Sequence, residues 1–460
     1  MNSQRRRHQL PPQSDSSRQP MLSPALSQLA QFLPTKPLTA DEVLSPYIFV
    51  FYVSFAVTFA LTPIMRMVAT YYGVIDEPDS ARKVHKAPVA YLGGVAMFLG
   101  WICGLAVSQY LKLHRIQPGW PTTQPIVKFS IVAGAIVIVV LGLWDDVRRV
   151  SPRVKIAGQA LAALFLLWDG VGVDVTRPLL SPLAGKLGGW AFFITNEWFI
   201  YASSALVVVG IVVACCNASN LMDGLDGLCG GVTAIIAIGF LFVAVHLAAV
   251  GGGVRTNSDA LRVILALSLL GAVIAFVPFN FNPASIFMGD TGSMLLGFSC
   301  AVMIIMMGEE RTKWLLAAMV VFALPILDTA LAFARRWVNG RPVFSADKQH
   351  FHHQLLARGY SVKKTVMISY GLALMFAVLG VAMVLIRTRY AIALYMVIFG
   401  SLVVAAYKMG MVHERPSGGG PPSGLGGKGT ATSTATIEPG TVFEIQDDQR
   451  TVATTSDNRE

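Results

Sequence analysis

From residue 45 to residue 407 the sequence is a succession of apolar stretches separated by short polar breaks. They lie at about 45–70, 90–110, 126–144, 154–168, 198–216, 228–250, 260–277, 293–307, 313–333, 365–386 and 391–407. Most are long enough to cross the roughly 30 Å hydrocarbon core of a bilayer as a helix. Runs such as SIVAGAIVIVVLGL lack the alternating polarity of a membrane-spanning strand. Two stretches, 154–168 and 293–307, are short for a span and suit a tilted, half-buried helix equally well. The pattern predicts an all-α, polytopic integral membrane helical bundle of about 11 transmembrane helices.

Outside these limits the pattern disappears. Residues 1–44 are rich in Ser, Gln and Pro, and residues 408–460 in Gly, Ser and Thr, so both are expected to be disordered tails around a domain at 45–407. Arg5, Arg6 and Arg7 are followed by Pro11, Pro12 and QSDSSRQP instead of an apolar run, so no cleavable export signal is expected.

Composition agrees with the pattern. Charged residues make up 13% of the chain and hydrophobic ones 54%, where a soluble domain carries about 25% charged residues. The net charge of +10 would point to nucleic acid in a soluble protein. Here the two tails cancel, leaving 26 cations against 16 acids in residues 45–407. The excess belongs to loops between spans, and nucleic acid is not an expected partner. Loops after the odd-numbered spans hold fifteen of the 26 cations, and Lys408 and Arg415 join them, so that face is assigned as cytoplasmic. Cys103, Cys215, Cys216, Cys229 and Cys300 lie in or beside apolar runs without ligand spacing and read as small hydrophobes.

The unusual polar clusters all fall on that face. Asp145 and Asp146 end the third span; Asn217, Asn220, Asp223 and Asp226 follow the fifth in NASNLMDGLDGL; Asn280, Asn282 and Asp290 follow the seventh in FNFNPASIFMGDTGS. His350, His352 and His353 sit in a basic loop after the ninth with Arg341, Lys348 and Arg358. Ionisable groups at membrane helix ends are costly and generally functional. Adjacent helical residues diverge by about 100°, so Asp145 and Asp146 are expected to do two different jobs. Gly224 and Gly227 follow Asp223 and Asp226, and Gly289 and Gly292 bracket Asp290, as needed where backbone approaches a ligand closely or takes positive φ. Dispersed acids suit Mg²⁺, which takes one or two protein oxygens and leaves the rest to phosphate and water. The histidines, set among cations, suit an anionic diphosphate better than zinc. A further basic loop, PDSARKVHKAPVAYLGG, adds Arg82, Lys83, His85 and Lys86. Acids for a metal, cations for phosphate and a membrane surface together point to phosphoryl chemistry on a lipid.

At GLWDDVRRVSPRVKIAGQ, NASNLMDGLDGL, FNFNPASIFMGDTGS, DKQHFHHQLLARGYS and RKVHKAPVAYLGG the sequence resembles the polyprenyl-phosphate N-acetylhexosamine-1-phosphate transferases, over residues of about 75 to 365. The muramoyl-pentapeptide branch of that family carries three consecutive histidines. His350-Phe351-His352-His353-Gln354 instead resembles the branch that moves N-acetylglucosamine 1-phosphate from UDP-GlcNAc to undecaprenyl phosphate at the start of a cell-envelope polysaccharide. The resemblance implies Mg²⁺, with Mn²⁺ as the alternative, held by Asn220 and Asp290. It places uracil near Asp226, the lipid phosphate beside Asp145 and Asp146, and Lys155 near the transferred phosphates. Asp223 is implied as catalytic. His350, His352, His353 and Arg341 are implied around the diphosphate or sugar, with Asn217, Lys83 and His85 as further substrate contacts. A bacterial inner-membrane location with a cytoplasmic active site follows from the same resemblance, a homodimer being an open alternative for the assembly.

Other UDP-N-acetylhexosamines or UDP-muramoyl-pentapeptide remain alternative donors, and an ion-coupled transporter is the competing class. A phosphate monoester has a second pKa of about 6 and is largely deprotonated at neutral pH. Asp145 is therefore read as an orienting group in preference to a general base. Asp328, inside the ninth span, reads equally as a functional acid or as an internal hydrogen-bond partner.

Overall fold

The computed structural model describes residues 39–76, 88–113, 127–184, 188, 191–250, 257–340 and 350–408. Every one of the eleven apolar stretches is helical there. The chain enters through α1 (Ala40–Leu44), a 3₁₀ turn (Ser45–Tyr47) and α2 (Ile48–Tyr71). Thr39 opens α1 with a capping box: its hydroxyl accepts the Glu42 N–H, and Glu42 Oε2 accepts the Thr39 N–H at 2.8 Å. Val43 is buried. This capped turn brings the ordered fold five residues into the segment expected as a tail.

Then come α3 (Gly93–Leu113), α4 (Phe129–Arg148), α5 (Pro152–Trp168), the short α6 (Arg177–Ala184) and α7 (Ala191–Ile194), and α8 (Glu197–Met222). The second half holds α9 (Leu228–Val250), α10 (Asn257–Asn280), α11 (Gly289–Gly308), α12 (Thr312–Val321), α13 (Ala323–Val338), α14 (Phe351–Ala357), α15 (Val362–Leu385) and α16 (Thr388–Lys408).

Eight described helices are long and apolar enough to cross a membrane, and nine if the bent pair α12 and α13 forms one span. That pair turns by 77° around Phe322, just before Pro325, whose missing N–H cannot continue the ladder. At 17 residues α5 rises only about 25 Å and falls below a full crossing. The 293–307 stretch, short in sequence, gains length because α11 begins at Gly289, within the motif expected to be a loop. The protein is thus a multi-pass helical membrane protein.

At the centre stands α11, packed against α8, α4, α3 and α12. Every residue of it is buried except Asp290 in its first turn. A helix apolar on all sides has no solvent or lipid face and belongs in a core. Small residues let its neighbours in: a methyl group added at Gly142 would strike the Thr291 backbone, and one at Gly94 the Gly292 backbone. Before α11, residues 286–288 are tied by backbone to the segment entering α3. A two-stranded hairpin pairs β1 (Ile75–Asp76) with β2 (Val89–Ala90), the Phe287 N–H reaches Ala90 O at 2.8 Å, and the Gly93 and Gly94 N–H groups reach Phe287 O and Met288 O at 3.0 Å. These bonds fix where α11 starts, and so where Asp290 stands.

Candidate active site

The C-terminal ends of α4, α8 and α10 meet the N-terminal ends of α5 and α11 at one end of the bundle. Lys155, one turn into α5, is the pivot. Its Nζ lies 2.5 Å from Asp145 Oδ2 and 2.5 Å from Asp290 Oδ2. The other oxygen of Asp290 accepts the Asn220 Nδ2 donor at 2.8 Å, and Asn220 also donates to Ser293 Oγ at 3.0 Å. Asp145, Lys155, Asn220 and Asp290 therefore form one connected cluster from four helices.

Asp146 faces elsewhere, as expected of neighbouring positions on a helix. Its Oδ1 accepts the Asp290 N–H at 2.7 Å; its Oδ2 accepts the Thr291 N–H at 3.1 Å and the Thr291 hydroxyl at 2.6 Å. Gly289 takes φ +68° directly against this carboxylate. Gly227 takes φ +78° after Asp226. The positive φ that the Asp-Gly grammar suggested is thus realised at two glycines.

Asp223 caps the end of α8. Burial, with the like charges of Asp290, Asp146 and Asp226 behind it, pushes its carboxyl well above the usual carboxylate range. Asp226 is engaged by the neighbouring loop: its Oδ2 accepts Asn282 Nδ2 at 2.9 Å and the Ala284 N–H at 3.1 Å. Asn217, one turn before Asn220, donates to Gln159 Oε1 and Val213 O, both at 2.8 Å, so its amide group packs α8 on α5.

Three further residues complete this frame: Asn280, one of the polar residues after the seventh apolar stretch, and Gln159 and Tyr370, which the sequence does not single out. Gln159 is fully buried. Asn280 accepts the Gly227 N–H at 3.1 Å and donates to Ile286 O at 3.1 Å. The Tyr370 hydroxyl donates to Gly227 O at 2.6 Å. Gln159 and Tyr370 are polar side chains within apolar runs, the one signal by which sequence could have flagged them.

The histidines gather beside the same loop. His350 and His352 stack nearly parallel with centroids 5.8 Å apart, and His353 lies 4.3 Å from His352. The His350 Nδ1 is 3.2 Å from Asp328 Oδ2, and Asp328 Oδ1 accepts the Phe351 N–H at 2.8 Å. Asp328 is thereby resolved as the internal partner of α14. His352 sits against Gly224, where an added methyl group would run into its Nε2. Burial pushes the His352 imidazole down to about 3, leaving it neutral at physiological pH. Lys83, His85, Arg341 and the cations Arg82, Lys86 and Lys348 lie outside the described residues.

Two carboxylates, Asp145 and Asp290, meet the Lys155 ammonium group, with Asp146 bonded to the backbone next to it. No three acidic, histidine or cysteine side chains among the described residues converge as a metal cage. The donor set suits Mg²⁺ in its usual mode: the Asp290 carboxylate offers hard oxygens, the Asn220 amide beside it would add its carbonyl oxygen by turning over from the present nitrogen-to-Asp290 contact, and the cluster has negative charge to spare.

Comparison with known proteins agrees with this chemistry. The glycosyl transferase family 4 profile matches residues 128–308, from the start of α4 to the end of α11. The chain is 30% identical over 378 residues to a probable undecaprenyl-phosphate N-acetylglucosaminyl 1-phosphate transferase of Bacillus subtilis, covering 82% of this chain and 95% of that one. It is 35% identical over 330 residues to decaprenyl-phosphate N-acetylglucosaminephosphotransferase of Mycobacterium tuberculosis, covering 68% and 76%. It is 29% identical over 342 residues to phospho-N-acetylmuramoyl-pentapeptide-transferase of Desulforudis audaxviator, covering 72% and 96%. With almost the whole length of the Bacillus protein matched, and with the acid cluster built from the matched helices, the chain belongs to the polyprenyl-phosphate N-acetylhexosamine-1-phosphate transferases of glycosyl transferase family 4.

Proposed function

We propose that this protein transfers N-acetylglucosamine 1-phosphate from UDP-GlcNAc to undecaprenyl phosphate, releasing UMP, on the cytoplasmic face of a bacterial inner membrane. The observation that carries the reading is the cluster of Asp145, Lys155, Asn220 and Asp290 at one end of the bundle. A transporter would place such acids near the membrane midplane at broken helices; here they stand at helix ends.

In the reaction an oxygen of the lipid phosphate attacks the β-phosphorus of the nucleotide sugar. The new P–O bond forms as the bond from that phosphorus to the bridging oxygen breaks, and the electron pair leaves with UMP. Phosphoryl transfer depends mainly on positioning and charge neutralisation. Lys155 carries a positive charge to where phosphate oxygens must gather, while Asp145, held by Lys155 and by the Val150 N–H, has an orientation suited to steering the nucleophile. Mg²⁺ bound by Asn220 and Asp290 would neutralise diphosphate charge. The neutral His352, with His350 and His353, would donate hydrogen bonds to the diphosphate or sugar. Asp226, held by Asn282, would read the uracil edge.

The test is purified protein in detergent with Mg²⁺, undecaprenyl phosphate and labelled donors in parallel: UDP-GlcNAc, UDP-GalNAc and UDP-muramoyl-pentapeptide. Lipid-linked label with stoichiometric UMP from UDP-GlcNAc is expected. Preferential use of another donor moves the assignment within the family, and no lipid product from any donor overturns it.

A further inference from the structure

We propose that Asp146 is a positioning residue that clamps the N-terminus of α11 and so aims Asp290, in place of contacting lipid phosphate itself. The inference rests on the transferase reading above. Its basis is the geometry of a single carboxylate. Asp146 ends α4, and its two oxygens accept three hydrogen bonds from the first turn of α11: the Asp290 N–H, the Thr291 N–H and the Thr291 hydroxyl. A carboxylate offers about four acceptor positions, so most of this one belongs to the helix start.

Two of those donors are among the free N–H groups that every helix leaves at its beginning. The residue preceding Gly289 is Met288, whose side chain cannot cap, and no side chain of its own segment does so. Asp146 supplies the cap from another helix, and its negative charge also suits the positive end of the helix dipole. Two further features serve the approach. Gly289 has φ +68° with no side chain, and a methyl group there would collide with the Asp146 carboxylate. Gly142, one turn before Asp146 on α4, lets α4 lie against the Thr291 backbone.

The consequence reaches Asp290 because α11 is buried throughout except at that residue. Such a helix can be aimed only from its ends. With the N–H of Asp290 itself in the clamp, the Asp290 side chain is left to meet Lys155 on one oxygen and Asn220 on the other. Asp145 and Asp146 thus divide the work. Asp145 joins the charged cluster, and Asp146 fixes the helix on which that cluster depends.

The test separates a clamp from a direct ligand. Asp146→Asn keeps one acceptor oxygen for the Thr291 donors but turns its NH2 group towards the Asp290 N–H, so it should lower turnover by about tenfold, with KM for the nucleotide sugar and the Mg²⁺ concentration for half-maximal rate within about threefold. Asp146→Ala removes the cap and should lower kcat about a hundredfold with KM little changed, the cost of a misplacement of about 1 Å. Thr291→Val removes the hydroxyl donor from a residue buried from substrate and should lower kcat severalfold; combined with Asp146→Ala it should add nothing, since its partner is already gone.

Wild-type transfer run alongside reports on the transferase reading independently, as does the midpoint of thermal unfolding on folding. If Asp146→Ala does not fold, Asp146→Asn and Thr291→Val carry the test. An Asp146→Asn variant that is folded yet as inactive as Asp290→Asn, or that needs more than about tenfold more Mg²⁺, overturns the proposal, as does a Thr291→Val variant with wild-type kcat.

Discussion

The ammonium group of Lys155 bridges Asp290 and Asp145, 2.5 Å from each, although Asp290 is 135 residues away in the chain. Two carboxylates are thereby held at one point by one cation. Without that charge they would repel, and a divalent ion or a phosphate would meet a disordered site. Lys155→Met is therefore expected to lower kcat by about 10² to 10³, the range for loss of one preorganised charge at a transition state. Lys155→Arg should recover little, because a planar fork cannot take the place of a compact ammonium between two acids. Initial rates of lipid-linked product at saturating substrates read both. Activity within threefold of wild type in Lys155→Met would show the bridge to be incidental.

Much of this cluster is legible in the amino-acid sequence. Span counting alone brings Asp145, Asn220, Asp223, Asp226 and Asp290 to one face, since loop parity depends only on helix number. The Asp-Gly grammar likewise points to the positive φ seen at Gly227 and Gly289. The direction of each side chain is not legible. Asp145 and Asp146 are adjacent letters, yet one meets Lys155 and the other the α11 backbone, a difference set by helix rotation against partners more than a hundred residues distant. Asn217 and Asn220 look equivalent in NASNLMDG, but a single turn sends one to Gln159 and the other to Asp290. For the bend between α12 and α13, Pro325 in the 313–333 stretch signals a kink, but its size of 77° is not legible, because the stretch is apolar on both sides of it.

Close helix approach makes a prediction that the spacing of apolar residues could not. Gly142→Ala on α4 would place a methyl group among the Thr291 and Asp290 backbone atoms, which cannot give way as a flexible side chain does. Overpacking of this kind costs about 1–3 kcal/mol, and here it also displaces the first turn of α11, so turnover should fall with stability. Gly210→Ala on α8 is the control. A methyl group there meets nothing within 4 Å, and replacing a helical glycine gains about 0.5–1 kcal/mol. Thermal unfolding in detergent should show the two variants moving in opposite directions.

Asp223 should show stability and activity in opposition. Burial and the charges of Asp290, Asp146 and Asp226 raise its carboxyl above the usual range, so the folded state favours the neutral form. A folded-state pKa above the unfolded value gives stability that is present at low pH and lost as pH rises through the carboxylate range and beyond. Asp223→Asn mimics the neutral form permanently. It should raise the unfolding midpoint at pH 8 while abolishing most turnover, with the gain in midpoint shrinking towards pH 4. A midpoint lowered at pH 8 would mean that the Asp223 charge is compensated in the fold.

His352 makes the reverse pH prediction. It is 2% exposed, wedged against Gly224, stacked on His350 and tilted against His353, and the carboxylate of Asp328 only partly offsets the cost of burying a charge. Its pKa falls from the ordinary 6.5 to about 3. Below pH 6.5 the unfolded chain takes up a proton at this position and the folded chain does not, so this contribution to stability is complete above 6.5 and declines as pH falls towards 3. The slope approaches about 1.4 kcal/mol per pH unit, an upper bound because the fold can open locally around α14. His352→Gln cannot titrate. The difference between the unfolding midpoints of wild type and variant, followed from pH 7.5 to pH 4.5, should change in the variant's favour as pH falls. A difference constant across that range would place His352 in contact with water, able to take up a proton in the folded protein.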